Sequence, residues 1–461
     1  MKLILLSGGS GKRLWPLSND NRSKQFIKVM HNDNEGEGPT SMIQRVWASL
    51  QKMGLAESAV IAASQVQEEV IQSQLNGAAH LVLEPVKRDT FPAISLASTY
   101  LFSKMGVNEG EIVVVMPVDV EADDSFFEAI KQLGKEFEES DSNIGLIGLR
   151  PTSPSEKFGY ILPRKGLADS GMLQIDRFIE KPDSAAAERL IKQGAMWNCG
   201  VFAFRLGYML ELLRSSGWST DYEKMIANYH LMPSISFDYE VVEKEQNVSV
   251  KPYSGRWNDL GTWNEWTSMM PRRLNGKGVL SEDSINTHIV NELQIPVVVL
   301  GIPNAVIAAS PDGILVSDKE SSTKLKDAVK SLSARPMYEE TIYGWYRVMD
   351  CERNGLNQQV VTKRVHVWTG KHISYHVHTG RDEIWTIIGG KAEIMINGRK
   401  FQAGVGEVIH IESGIRHAIR AIEAVDLIEV QIGMNVNEDD IIRYEFDWQV
   451  GEQRKKGRKT I

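Results

Sequence analysis

From residue 2 to about 270 the chain alternates short β-branched runs with longer stretches of helical spacing, and beyond about 340 the helical spacing is gone. The two patterns cannot share one layer architecture. Parallel strands need crossovers long enough to hold a helix, so the first pattern predicts an α/β fold with a mostly parallel sheet. Short alternating strands parted by glycine turns, as in IWTIIGGKAEIMINGRKF and GVGEVIHIESG, predict an all-β barrel or jelly roll. A chain of 461 residues also exceeds what one core holds. The expected division is an α/β domain over 1–270, a small connecting β unit over 271–335, a barrel over 336–450 and a disordered basic tail over 451–461.

The strands expected in the first part are KLILLS, AVIAA at 59–63, HLVLE at 80–84, EIVVVMP at 111–117 and NIGLIGL at 143–149. In SMIQRVWASL, Ser41 and Gln44 have capping-box spacing ahead of apolar residues at Met42, Val46 and Leu50, which predicts a helix. The connecting unit reads as short strands closed by a helix-like ESSTKLKDAVKSL, and ARPMYEE reads as the linker that follows.

Several function classes are excluded. The apolar runs at 112–118 and 295–302 are far shorter than the roughly 18–20 residues a bilayer-spanning helix needs, so no membrane span is expected. MKLILL runs straight into GGSGKR without a signal-peptide pattern, which points to the cytoplasm. The two cysteines, Cys199 and Cys351, are read as reduced thiols, too few for a disulfide framework or a cysteine zinc cluster. A net charge of −8 argues against nucleic acid as a partner.

Two places carry chemistry. The first is the loop Ser7-Gly8-Gly9-Ser10-Gly11-Lys12-Arg13 after the first strand, followed by Lys24-Gln25-Phe26. Closely spaced glycines let backbone N–H groups approach an anion, and neighbouring cations add charge that an acidic chain otherwise lacks. Asp119 stands just past the strand at 111–117, at a carboxyl end where ligands of open α/β sheets collect.

The string from Gly8 to Gln25 resembles the GGxGxRLxPL…PKQ signature of sugar-phosphate nucleotidylyltransferases, and its Trp-Pro-Leu-Ser ending resembles the mannose-1-phosphate guanylyltransferases. Glu84-Pro85-Val86-Lys87-Arg88-Asp89-Thr90, Phe158-Gly159-Tyr160-Ile161, Phe178-Ile179-Glu180-Lys181-Pro182-Asp183, Trp197-Asn198-Cys199-Gly200-Val201-Phe202 and Trp257-Asn258-Asp259-Leu260-Gly261-Thr262-Trp263 resemble that family's further motifs, in its order. Departures are Lys12, Ser23 and the flanks Val118 and Val120 of Asp119.

The resemblance implies a Rossmann-like nucleotidyltransferase domain that transfers GMP from GTP to mannose 1-phosphate, giving GDP-mannose and pyrophosphate. It implies Mg²⁺ held by Asp119 and Asp259, triphosphate contacts from Arg13 and Lys24, and Lys181 on the sugar phosphate. Glu180 and Asn198 would meet the sugar hydroxyls, and Gly8, Gly9, Gly11, Arg88 and Gly159 would line the substrates. A homo-oligomer is compatible with all of this.

The second place lies near the C-terminus, where five of the ten histidines fall between 372 and 417. Gly370, His376, His378, Glu383 and Gly390 match the first cupin motif, and Gly406, Gly414 and His417 match the second in part. Alternate residues of a strand share a face, so His376 and His378 can point together into a barrel. With Glu383 and His417 they would form a three-histidine, one-carboxylate site for Zn²⁺, Mn²⁺ or Fe²⁺. His366, His372 and His410 lack such company and are read as structural.

This half also resembles the type II phosphomannose isomerase domain of bifunctional enzymes, through the tail LIEVQIG-x5-EDDIIRYEFDW. The isomerase motif is altered at His376, Thr379-Gly380 and Ile384, so the expectation is metal binding without efficient isomerisation. The alternatives are a bifunctional transferase and mannose-6-phosphate isomerase, or a non-catalytic sugar-nucleotide sensor.

Overall fold

The β-branched runs become strands in a computed structural model of the chain, which describes all residues except 10, 29–38, 165–170, 333–334, 447, 449–452 and 455–461. In chain order these are β1 (Lys2–Ser7), β2 (Ala59–Ser64), β3 (His80–Glu84), β4 (Ile112–Pro117), β5 (Val120–Ala122), β6 (Ile144–Leu149), β7 (Tyr160–Pro163), β8 (Leu173–Ile179), β9 (Met196–Arg205), β10 (Val248–Tyr253) and β11 (Trp257–Asp259). Nine of them form one sheet in the order β3-β2-β1-β4-β9-β6-β10-β8-β7, while β5 and β11 pair with each other.

The sheet is parallel across β3-β2-β1-β4, and β9 runs antiparallel to both its neighbours, β4 and β6. Parallel pairing returns between β6 and β10, so the sheet is mixed beyond β4. β9 escapes the sequence reading because Gly200, at φ +75°, interrupts its alternation. Leu3 and Leu5 of β1 pack on one face with Val46, Trp47 and Leu50 of the helix Met42–Lys52. Ile4 and Leu6 pack on the other with Ile94 and Leu101 of the helix Thr90–Ser103. Coverage on both faces is why these strands are continuously apolar. The capping box forms as expected: Ser41 caps the first of these helices and Gln44 reaches back to it.

Contacts divide the chain into two compact units. The first holds Met1–Leu14, Arg22–Arg273 and Lys319–Leu325; the second holds Trp15–Asn21, Leu274–Asp318 and Lys326–Ile461. In the second unit, strands Leu274–Asn275, His288–Asn291 and Ala305–Ser310 stack in parallel, followed by Gly313–Asp318 running antiparallel. Residues 15–21 belong with this stack because Ser310 Oγ donates to the Pro16 carbonyl (2.6 Å) and Asn19 to Asp312 (2.7 Å). The helix-like stretch after it shrinks to one 3-10 turn, Ser321–Lys324, and one α turn, Leu325–Ala328. The end of the expected linker is itself a strand, Tyr338–Glu340, paired with Gly344–Arg353.

The barrel rests on three long strands, Gln359–Val367, Arg381–Ile396 and His417–Gly433, the last pairing with both others. Its apolar core includes Val361, Val365, Trp385, Ile394, Ile419 and Leu427. Of the basic tail, Gln453–Arg454 pairs with Glu445–Phe446 as a short strand, and the other residues from 455 lie outside the described residues.

Candidate active site and metal cage

The antiparallel pairing of β5 with β11 places Asp259 opposite Val120, next in sequence to Asp119. Glu121 secures this pairing through Arg256 and through Asn258 Nδ2 (3.0 Å). The Lys24 ammonium stands between the two carboxylates, 2.9 Å from Asp119 Oδ2 and 2.8 Å from Asp259 Oδ1. Burial alone would lower its pKa, but Asp119 and Asp259 outweigh burial and hold it above the ordinary lysine value. Two carboxylates and one ammonium sum to −1, and oxygen donors at this spacing are of the kind a hard divalent cation takes. Lys24 is therefore tied to the acidic pair, a link absent from the sequence expectation.

Both aspartates line a cavity of about 230 Å³ that also contacts Gly159, Glu180, Asn198 and Asp238. Phe158 and Trp197 lean together beside it, ring centroids 4.7 Å apart. Glu180 is buried; its Oε1 pairs with the Lys181 ammonium at 2.5 Å, and its Oε2 has no hydrogen-bond partner. Asn198 Nδ2 donates to Asp238 Oδ1 at 2.7 Å. Burial, and then the Glu180 charge, push the Asp238 carboxyl up to about 7. Asp238 is the residue of this wall that motif reading missed.

Gly159 is where it is for a steric reason. A Cβ there would lie 2.5 Å from Phe178 Cζ and 2.6 Å from Glu180 Oε2. Gly159→Ala is expected to displace the Glu180 carboxylate, raising the KM for the sugar substrate about tenfold and costing about 1–3 kcal/mol of stability. Steady-state kinetics and thermal melts check both, and an unchanged KM would contradict the steric assignment.

The glycine loop is braced by buried polar groups. Gln25 Nε2 donates to Ser7 Oγ (3.1 Å) and lies 3.5 Å from the Gly8 carbonyl; Gln67 Nε2 donates to Ser23 Oγ (3.1 Å), which lies 3.4 Å from the Gly9 carbonyl. Gln67 lies outside every motif named in the sequence. Gly9 takes φ +114°, which only glycine adopts freely, and Gly11 opens the 3-10 turn Gly11–Leu14. Arg13 is exposed on that turn and does not line the cavity. Arg88 donates instead to the His230 carbonyl.

In the second unit, strand register builds the histidine site: His376 lies opposite His417, and Glu383 opposite Gln431. All four are buried. The Nδ1–H groups of His376 and His417 donate to the carbonyls of Ser374 (2.6 Å) and Ile415 (2.9 Å), and that of His378 to Asp440. A carbonyl only accepts, so the proton sits on Nδ1 and each Nε2 presents a lone pair. The Nε2 atoms of His376 and His378 are 2.9 Å apart, and that of His417 is buried without a hydrogen-bond partner. Burial, with His417 and His378 nearby, lowers His376 to about 3, keeping it neutral as a metal ligand must be. The three imidazoles fit a divalent transition metal, with ligand atoms within 4.8 Å of one another.

Glu383 departs from the expected equal fourth ligand. Its Oε1 accepts from Arg381 (2.9 Å) and Gln431 (3.1 Å), and its Oε2 from Trp385 (3.1 Å). Despite burial, His417, His378 and Arg381 hold its pKa well below the ordinary value. It stays within 3.2 Å of His378 Nε2 and 3.4 Å of His417 Nε2. His366 stacks on Trp345 and His410 is exposed, outside the cage as expected.

A sheet carrying a glycine loop at one strand end and an acidic pair at another defines a nucleotide-handling fold, and the family model described as nucleotidyl transferase matches residues 2–275. The chain belongs to the nucleotidyl transferase family. A second model, mannose-6-phosphate isomerase C-terminal, matches residues 334–446. Among curated relatives, xanthan biosynthesis protein XanB of Xanthomonas campestris pv. campestris (strain B100) is 29% identical, covering 96% of this chain and 97% of its own. Mannose-1-phosphate guanylyltransferase of Escherichia coli (strain K12) is 27% identical over 96% and 98%. A solved structure, described as mannose-1-phosphate geranyltransferase from Thermus thermophilus, shares 28% identity at a TM-score of 0.60, covering 72% of this chain and 99% of that one. Among the described residues no helix is long and apolar enough to cross a membrane.

Proposed function

We propose that the chain transfers GMP from GTP to mannose 1-phosphate, releasing pyrophosphate. The observation that carries this reading is the convergence of Asp119 and Asp259, both paired with Lys24, on the cavity that Glu180, Asn198 and Asp238 also line. An oxygen of the sugar phosphate attacks the α-phosphorus in line as the bond to pyrophosphate breaks, so positioning and charge neutralisation are the main tasks. Asp119 and Asp259 would hold Mg²⁺, which when bound screens the two polyanions and stabilises charge on the leaving group. Lys24 keeps the two carboxylates converged and adds a permanent positive charge. Lys181, beside Glu180, serves the sugar phosphate. The braced glycine loop offers backbone N–H groups to the triphosphate, with Arg13 at its exposed end.

The barrel would bind Zn²⁺, Mn²⁺ or Fe²⁺ through His376, His378 and His417, each oriented by its Nδ1–H on a backbone carbonyl, with the Glu383 carboxylate beside two of the ligand atoms. Because Glu383 already accepts from Arg381, Gln431 and Trp385, neither it nor Arg381 is free to move a sugar proton, and the barrel holds metal without efficient isomerisation. Pyrophosphate release from each nucleoside triphosphate with mannose 1-phosphate and Mg²⁺ is expected to be fastest with GTP, and preference for UTP or dTTP would overturn the guanylyl assignment. In parallel, conversion of fructose 6-phosphate to mannose 6-phosphate with added Zn²⁺, Mn²⁺ or Co²⁺ is expected to stay near background; robust turnover would establish the bifunctional alternative.

A further inference from the structure

Asp119 and Asp259 meet Lys24, and Glu180 meets Lys181, whereas Asp238, held by Asn198 beside Glu180 in the turn Asp238–Val242, forms no ion pair among the described residues. A carboxylate without a paired cation repels a phosphate, while the hydroxyls of a polyol donate to it. We infer that Asp238 is a sugar-recognition residue: its carboxyl, held by the Asn198 amide beside Glu180, accepts a hydrogen bond from one hydroxyl of the hexose phosphate. The inference rests on the sugar-phosphate transfer proposed above and assigns one determinant of which sugar enters.

Three features support it. First, Asp238 opens a one-turn π-helix, a rare element frequent at functional sites. Second, the approach to that turn is fixed: Phe91 N donates to the Ile235 carbonyl (3.2 Å) and Phe237 N to Thr90 Oγ1 (2.8 Å). The carboxyl is thus carried on backbone strapped to the start of the helix Thr90–Ser103. Third, Asn198 occupies only Oδ1 and its own Oδ1 accepts from Gly200 N (3.1 Å), while Glu180 Oε2 is buried with no partner. An acceptor left unpaired in a cavity has a cost that a ligand hydroxyl removes.

Asp238→Asn keeps an oxygen for the Asn198 amide and removes only the carboxylate. The full chain and this variant are compared at about pH 8, above the Asp238 value of about 7, with GTP, mannose 1-phosphate and its monodeoxy analogues. The variant is expected to raise the KM for mannose 1-phosphate roughly 10- to 100-fold while the KM for GTP moves less than about twofold. One deoxy analogue, penalised in the wild type, is expected to lose its penalty in the variant. Asp238→Ser, which also removes the carboxylate, repeats the comparison if the asparagine variant fails to fold. Equal penalties for every analogue in wild type and variant would show that Asp238 only supports Asn198 and overturn the inference. A wild type that transfers nucleotide to no hexose 1-phosphate overturns both this inference and the reading beneath it.

Discussion

Asp119→Asn and Asp259→Asn are each expected to lower kcat by about 10³-fold or more, with the melting temperature nearly unchanged. The two effects separate because the side chains are 27% and 32% exposed and carry little of the core, yet both face one ammonium. Neutralising either leaves Lys24 paired with a single carboxylate and halves the negative charge available to a divalent cation. Preorganised charge at a phosphoryl-transfer centre is worth several kcal/mol, and each 1.36 kcal/mol is a factor of ten in rate. Excess Mg²⁺ should recover part of the loss if affinity for the ion is what fell. Rates within tenfold of wild type in both variants would refute the shared-cation role, whatever the substrates prove to be.

The His376→Ala, His378→Ala double variant is expected to lose the metal of the barrel altogether. Elemental analysis after metal-supplemented expression should find about one divalent transition-metal ion per wild-type chain and less than about a tenth in the variant. The Nε2 atoms of the three imidazoles converge, those of His376 and His378 at 2.9 Å, which is the spacing of a shared ligand set. A ligand that binds only the folded state adds about 4 kcal/mol at 1,000 times its Kd, so chelation should also lower the wild-type melting temperature. The double variant should melt the same with or without chelator. A wild type free of stoichiometric metal would make these histidines structural.

The cage and the acidic pair were legible in the sequence to different degrees. His376 and His378 lie two apart on a strand, so their shared face follows from strand geometry alone. His417 joins them because the strand it begins pairs with theirs in a register that sets it opposite His376. Glu383 was readable as a fourth ligand of the cage, but its engagement with Arg381, Trp385 and Gln431 was not, since Gln431 arrives from the far end of that same long strand. Asp238 opens the charged stretch 238–245, in which charge alone singles out no member, and nothing local marks the π turn that carries it to the cavity. The segment Trp15–Asn21 reads as a continuation of the glycine loop, yet it packs with the stack near residue 310, whose contacts no local pattern announces.

By itself, the sequence determined the elements and the chemistry on offer. Side-chain periodicity chose strand or helix, the glycines fixed where backbone could approach an anion, and the acidic and histidine residues set which ions the chain could hold. Only the tertiary structure decided which of these groups meet. Lys24 and Asp259 are separated by 235 positions and meet at 2.8 Å, where the pairing of β5 with β11 has set Asp259 beside Asp119. The reason is physical: secondary structure follows from sterics within a few residues, whereas convergence depends on the register between strands remote in sequence, set by packing of both sheet faces at once.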